Sequence, residues 1–186
     1  MIDENHNPWK TNSRKLIHEN PWIKIVEDQV TNPGGEDCSY TTVHFKNRAL
    51  GVLPLDEDYN TWIVGQYRYP LKKYSWEIPE GGVPYDENLI EGGIRELKEE
   101  TGINAKEWIH IMDFHTSNSI TDEIAHIYVA KILSFGEANP DSNEELYCKK
   151  IPFQELFDMV IEGKIMDSLT IAAVFKTEYL IRTGNL

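Results

Sequence analysis

Cysteine is nearly absent: Cys38 and Cys148 are the only two in 186 residues. Two thiols cannot build a disulfide framework, so a reducing compartment is expected. Long apolar runs are missing as well. No window approaches the ~20 apolar residues of a membrane span, and the opening MIDENHNPWK has no apolar leader core. A soluble cytoplasmic protein with no membrane partner is the expectation. Positive charge is scarce: 18 Lys and Arg stand against 31 Asp and Glu, a net charge of −13. No basic field attracts nucleic acid or an anionic membrane, so neither is expected as a partner. An anionic substrate would have to be drawn in by metal ions and a few local cations. The six histidines, His115 among them, show no metal-ligand spacing along the chain, and structural or surface roles are expected for them. There is no internal repeat and no low-complexity stretch.

Apolar material is plentiful, at 40% hydrophobic and 11% aromatic, enough for a sizeable core. The length predicts one domain with a small extra part. Residues 23–30 partly alternate, Asn32-Pro33-Gly34-Gly35 signals a turn, and residues 39–45 alternate well. These predict a hairpin. Residues 49–55, 61–68, 75–80, 108–114, 123–130 and 146–152 read as further strands, and 153–162 and 168–181 as helices split by Gly163-Lys164-Ile165. The expected class is α/β (α+β): a mixed β-sheet sandwiched between α-helices, with a small N-terminal antiparallel β-sheet. Residues 1–47 would form the hairpin subdomain and 48–186 the main domain.

The segment from Gly81 to Ile103 carries the chemistry. Gly81-Gly82 and Pro84 predict a loop before a helix, with Asp86 as N-cap and Glu87 and Glu91 placing negative charge in its first turns. Ile90, Ile94 and Leu97 predict one apolar face, and Gly102 predicts a left-handed end. Gly92-Gly93 in the helix interior cost roughly 1 kcal/mol each relative to alanine. Close backbone approach would explain them, but a tolerated small-for-small exchange is the simpler expectation. Glu96, Glu99 and Glu100 stand at i, i+3 and i+4, so three like charges share one face and repel. A hard divalent cation between them removes that cost, and Mg²⁺ commonly joins carboxylates to a substrate phosphate. Arg95 opens the cluster, and its planar guanidinium suits it to hold the carboxylates in place.

Gly81, Glu87, Arg95-Glu96-Leu97, Glu99-Glu100 and Gly102-Ile103, at these offsets, resemble the Nudix box at every defining position. Val52-Leu53-Pro54-Leu55, Gln66-Tyr67-Arg68-Tyr69-Pro70, Trp76-Glu77-Ile78-Pro79-Glu80, Thr121-Asp122-Glu123 and Glu162-Gly163-Lys164-Ile165 with Asp167 resemble the ADP-ribose pyrophosphatase group of that family, also described as nucleoside-diphosphate-sugar hydrolases. The resemblance covers nearly the whole chain. It implies the Nudix fold and Mg²⁺-dependent hydrolysis, with Mn²⁺ as the alternative ion, of the pyrophosphate bond in ADP-ribose or ADP- or GDP-linked sugars. The products would be a nucleoside monophosphate and a sugar phosphate.

Carried over residue by residue, it implies metal ligation by Glu96 and Glu100, by Glu99, by the backbone of Glu80 and by Glu144. Arg95 would orient the glutamates. The catalytic base stays open between Glu99 and the late-loop Glu144 or Glu145, because Ser142 falls where relatives place the first glutamate of a Glu-x-Glu pattern. Substrate contacts would come from Arg68, Trp22 and Glu123, with Tyr40, Phe45 and Trp76 as further candidates to stack on the base. A homodimer through the N-terminal sheet is implied too. The turn Ser117-Asn118-Ser119-Ile120 lacks the proline of ADP-ribose-selective relatives, which leaves the sugar and the nucleoside open. The contrary readings are a non-catalytic nucleotide-sensing module of the same fold and a hydrolase of another nucleoside diphosphate derivative. The first of these typically lacks box glutamates that are present here.

Overall fold

The computed structural model describes residue 4, residues 6–138 and residues 145–186. Two compact units divide the chain. One comprises the residues up to Asn47 together with His115–Glu123. The other comprises Arg48–Phe114 and Ile124–Leu186.

The N-terminal unit is a three-stranded antiparallel sheet, β1 (Lys10–Glu19), β2 (Ile23–Thr31) and β3 (Asp37–Phe45), in that order. The β2–β3 hairpin runs in unbroken register from Ile23 opposite Phe45 to Thr31 opposite Asp37. Its turn is built by Asn32, whose side-chain oxygen accepts from the backbone N–H of Gly34 and Glu36, and by Gly35 at φ 86°. The first strand is absent from the sequence reading. All ten of its residues are exposed, so it presents no apolar face and no alternation in burial. Two irregularities, at Thr11/Ser13 and Leu16/His18, break its register. What fixes it is β2, notably through Arg14, which grips Asp28 at 2.7 and 2.8 Å. The 115–123 segment joins this unit by a bridge between Val43 and Thr121 and by a hydrogen bond from the Tyr40 hydroxyl to the Ser119 carbonyl.

The larger unit contains a mixed four-stranded sheet, ordered β7 (Glu80–Pro84), β4 (Asn47–Pro54), β9 (Ile124–Phe135), β8 (Ile103–His115), and a three-stranded sheet, ordered β10 (Tyr147–Pro152), β5 (Asn60–Arg68), β6 (Lys73–Glu77). Strands β4 and β9 are parallel. Alternation along β4 sorts its side chains into two cores. Leu50 and Val52 join Trp62, Val83, Leu97, Ile103 and Tyr128 on the side of helix α1 (Leu89–Thr101). Leu53 and Leu55 join Ile63, Ile78 and Ile127 with Leu156 of α2 (Phe153–Ile161) and Ala173 and Val174 of α3 (Ser168–Arg182). The sheet is therefore covered by helices on both faces, as expected.

Around the box the structure corrects four expectations. Residues 81–84 are not a loop but continue the edge strand β7 from Glu80. Asn88, not Asp86, caps α1, its side-chain oxygen accepting from Ile90 N at 2.9 Å. Ile90 and Ile94 are exposed, and the buried stripe is Gly92, Gly93, Leu97 and Glu100. The glycines are required by close approach: a Cβ on Gly92 would sit 2.5 Å from Val83, and one on Gly93 2.9 Å from Trp108. The helix backbone, rather than an isoleucine ridge, lies against the sheet. Gly102 ends the helix at φ 72°, as its sequence position implies.

Candidate active site

Strand β7 and helix α1 are adjacent in chain and in space, and their contact builds the site. Glu96 lies directly over Gly81: a Cβ there would come within 2.1 Å of the Glu96 carboxyl carbon and 2.4 Å of both its oxygens. Only a residue without a side chain at 81 leaves room for that carboxylate. Glu100 is buried, and its Oε2 accepts from the Glu80 backbone N–H at 3.1 Å. That bond fixes the start of β7 against the last turn of α1. Glu99 is the most open of the three, its side chain 39% exposed against 14% for Glu96.

Arg95 binds this face together. Its Nη1 donates to Glu96 at 2.6 Å and stands 3.6 Å from Glu99, while its other edge reaches Glu87 at 3.2 Å. Burial opposes its charge, but the bonds to Glu87 and Glu96 outweigh that and raise its pKa above the ordinary arginine value. Arg48 completes the support, donating from Nη2 to the carbonyls of Pro84 and Glu87 and so tying down the 84–88 connection.

A second carboxylate group lies at the same end of β7, around the Glu80 side chain. Glu77, Glu80 and Asp167 bring oxygens within 4.8 Å of one another. The cation among them is Arg68, which donates to Glu77 at 2.5–3.1 Å and to Glu80 at 2.6 Å. Burial works against the Arg68 charge, yet the Glu77 bonds and the Glu80 and Glu77 charges raise its pKa. The Glu80 pKa is raised as well, which for a carboxyl favours the neutral form. Burial, then the charges of Asp167 and Glu77, push its carboxyl well above the usual carboxylate range, and Arg68 only partly offsets this. Asp167 also caps α3, accepting from the Thr170 N–H at 2.7 Å. Glu77 is therefore a buried partner of Arg68, not a solvent-facing strand residue.

The helical trio Glu96, Glu99 and Glu100 offers oxygens of the kind a divalent ion takes. It consists of hard oxygens only, on one helical turn, with a single guanidinium to balance them. One buried oxygen, Glu80 Oε2, has no hydrogen-bond partner among the described residues. Glu80, Glu96, Glu99, Glu100 and Arg95 are thus brought together, with Arg68 on the flank. Trp22 and Glu123 belong to the N-terminal unit. Trp22 is 68% exposed at the β1–β2 turn, and Glu123 accepts from the Thr116 hydroxyl. Glu145 accepts from the Tyr147 hydroxyl at 2.9 Å, and Glu144 lies outside the described residues. Sequence reasoning missed the Arg48 clamp, the place of Asp167 beside Arg68, and the meeting of His110 and His126 at Asp113. Only Asp167 had a local signal, its position just ahead of a helix.

A sequence profile of the NUDIX domain matches residues 45–168, and one of the nucleoside diphosphate sugar hydrolase N-terminal domain matches residues 9–43. The chain belongs to the Nudix family, whose hydrolases generally use divalent metals. Among its relatives is a methanol dehydrogenase activator of Bacillus methanolicus, 33% identical over 167 residues that cover 89% of this chain and 90% of that one. An ADP-ribose pyrophosphatase of Bacillus subtilis strain 168 is 28% identical over the same shares of each. Another, from Mycobacterium tuberculosis, is 29% identical over 95% of this chain and 86% of its own. The crystal structure of an ADP compounds hydrolase shares the fold, with a TM-score of 0.84 at 18% identity over 96% of this chain and 97% of that one.

Proposed function

We propose that this protein hydrolyses the diphosphate bridge of nucleoside diphosphate sugars, ADP-ribose and other ADP-linked sugars foremost and GDP-linked sugars as the alternative. Water adds across one P–O bond of the bridge, giving a nucleoside monophosphate and a sugar phosphate. The observation that carries the reading is the Glu96–Glu99–Glu100 turn seated over a glycine that only a missing Cβ makes possible. The matching N-terminal profile and the two relatives named as ADP-ribose pyrophosphatases support the substrate class.

Glu96, Glu100 and the backbone carbonyl of Glu80 would hold Mg²⁺, or Mn²⁺ in its place, with Glu99 holding a further ion or serving as the base. The ion supplies charge neutralisation at the diphosphate and a lowered pKa for bound water. Arg95 keeps Glu96 and Glu99 aimed, and Glu100 keeps β7 in register with the helix. Of the described candidates for the base, Glu99 is the better placed: it shares the helical turn with the metal ligands and is half open to solvent. Glu144 and Glu145 remain the contenders from the late loop. Arg68 has its Nε and Nη2 committed to Glu77 and Glu80, so contact with a phosphate falls to its Nη1 edge. Trp22, by its exposure, is the first candidate to stack on the base, with Glu123 in the same unit.

Exposed Trp9, Leu16, Ile17 and Trp22 on the N-terminal unit support a homodimer formed through that sheet. Among the described residues no helix is long and apolar enough to cross a membrane, and two free thiols fit a cytoplasmic setting. The test is turnover of ADP-ribose, ADP-glucose, GDP-mannose and a dinucleoside polyphosphate with Mg²⁺, comparing wild type with Glu100→Gln. Release of nucleoside monophosphate, cut at least about 10²-fold by the substitution, is expected. No turnover of any of the four by metal-loaded protein would favour a nucleotide-sensing module. Cleavage of the polyphosphate alone would move the substrate class.

A further inference from the structure

The larger unit carries a second group of metal-ligand side chains, of different chemistry and on different strands. His110 and Asp113 come from β8 and His126 from β9. Both imidazoles converge on a single oxygen: Asp113 Oδ1 lies 2.7 Å from His110 Nε2 and 2.7 Å from His126 Nδ1. The three ligand atoms lie within 4.8 Å of one another. Two imidazoles and a carboxylate in this arrangement are a donor set for borderline transition metals, whereas Mg²⁺ prefers oxygen alone.

The surroundings favour such a site. His126 is mostly covered, its side chain 12% exposed, so its ring is held in place. The His110 ring lies 5.2 Å from that of Tyr128, which limits its swing. His110 and Asp113 are 46% and 45% exposed, which leaves a route for an ion and room for water as a further ligand. Asp113 accepts from Nδ1 of His126, so taking an ion there moves the ring proton to Nε2, which is buried with no partner among the described residues, a cost that the metal bonds have to exceed. Metal–nitrogen bonds of about 2.0–2.1 Å in a tetrahedral arrangement set ligand atoms about 3.3 Å apart. The observed 2.7 Å contacts would then open by about 0.6 Å, a movement two exposed side chains can make.

We propose that His110, Asp113 and His126 form a second metal site that binds one Zn²⁺, Ni²⁺ or Co²⁺ ion through two imidazoles and a carboxylate, independently of the glutamate box. The ion takes Nε2 of His110, Nδ1 of His126 and an Asp113 oxygen, displacing the two hydrogen bonds now present, and water fills the open positions. The site stands whether or not the substrate reading is right, because none of its residues belongs to the box.

Full-length protein in saturating Mg²⁺, which keeps the box filled, is titrated with Co²⁺ while the histidine ring protons are followed by NMR, and with Zn²⁺ by calorimetry. One equivalent of Co²⁺ is expected to broaden or shift the His110 and His126 signals together and to spare the other four histidines. His110→Ala, at an exposed position where the fold is safe, is expected to weaken Zn²⁺ binding at least about tenfold. Glu100→Gln is expected to leave it unchanged. The proposal is overturned if Co²⁺ leaves both ring signals in place, or if His110→Ala binds Zn²⁺ as the wild type does.

Discussion

At the scale of single residues, the box shows how much depends on an atom that is missing. Gly81 is not at a left-handed φ, and its need is steric: the Glu96 carboxylate occupies the space a Cβ would take. Glu96 sits at the end of a flexible chain, so Gly81→Ala should displace the carboxylate rather than the backbone. The expected result is a fall in kcat of about 10²-fold, the usual consequence of moving a positioning group by an ångström, with a melting temperature close to that of wild type. A variant that keeps full activity, or that simply unfolds, would contradict this account. The glutamates themselves were legible because helical spacing puts i, i+3 and i+4 on one face whatever surrounds them. The Arg68–Glu77–Glu80–Asp167 group was not, since its members come from β5, β6, β7 and the start of α3. No local pattern records which distant strands will meet. The same holds for His110 and His126, which are brought together by strand pairing that sequence spacing does not express.

At the scale of elements, strand and helix types were mostly readable and their ends were not. The start of α1 was misplaced by two residues because Asp86 and Asn88 are both good caps. Asn88 has the extended backbone, φ −69° and ψ 136°, of a cap, and its side-chain oxygen accepts from the first helical N–H groups, those of Ile90 and Glu91. Asn88→Ala is therefore expected to cost about 1 kcal/mol, read as a lower denaturation midpoint, while Asp86→Ala leaves that midpoint unchanged. Equal effects at the two positions would return the cap to Asp86. Strand β1 escaped the sequence because it buries no side chain, so the periodicity that marks other strands is absent. Its attachment relies on Arg14 and Asp28. The hydrogen bond from Arg14, and then its charge, hold the Asp28 carboxyl below its ordinary value of 3.8, against the opposing effect of burial. A depressed folded-state pKa means the contribution is fully present above that ordinary value and is lost as pH falls through the lower folded one. Asp28→Asn should thus speed amide exchange in β1 about two- to fivefold at neutral pH. The ratio of variant to wild type should close toward one below pH 3.8. A ratio independent of pH would mean that the ion pair does not secure the strand.

At the scale of the whole molecule, the two-sided sheet was legible because residues 50–54 of β4 and 127–130 of β9 are unbroken, largely apolar runs, the signature of strands buried on both faces. Acidity was legible too, but its cost is concentrated where the structure puts it. With 31 acidic side chains against 18 basic ones, the protein folds against its own repulsion, and Glu80, Glu87, Glu96, Glu99 and Glu100 gather that repulsion around Arg68 and Arg95. An ion that binds only the folded state stabilises it by mass action, about 2.7 kcal/mol at one hundred times its dissociation constant. Saturating Mg²⁺ should therefore raise the melting temperature by several degrees for a protein of this size. The rise should be lost in a Glu96→Gln/Glu100→Gln variant, whose metal-free form should melt no lower than the metal-free wild type because two repelling charges are gone. Zn²⁺, which can also reach the His110–His126 pair, should still stabilise that variant. If Mg²⁺ raises the two proteins equally, the ion is not held by the helical glutamates. The crowding of charge on α1 would then be a cost to the fold that no metal offsets.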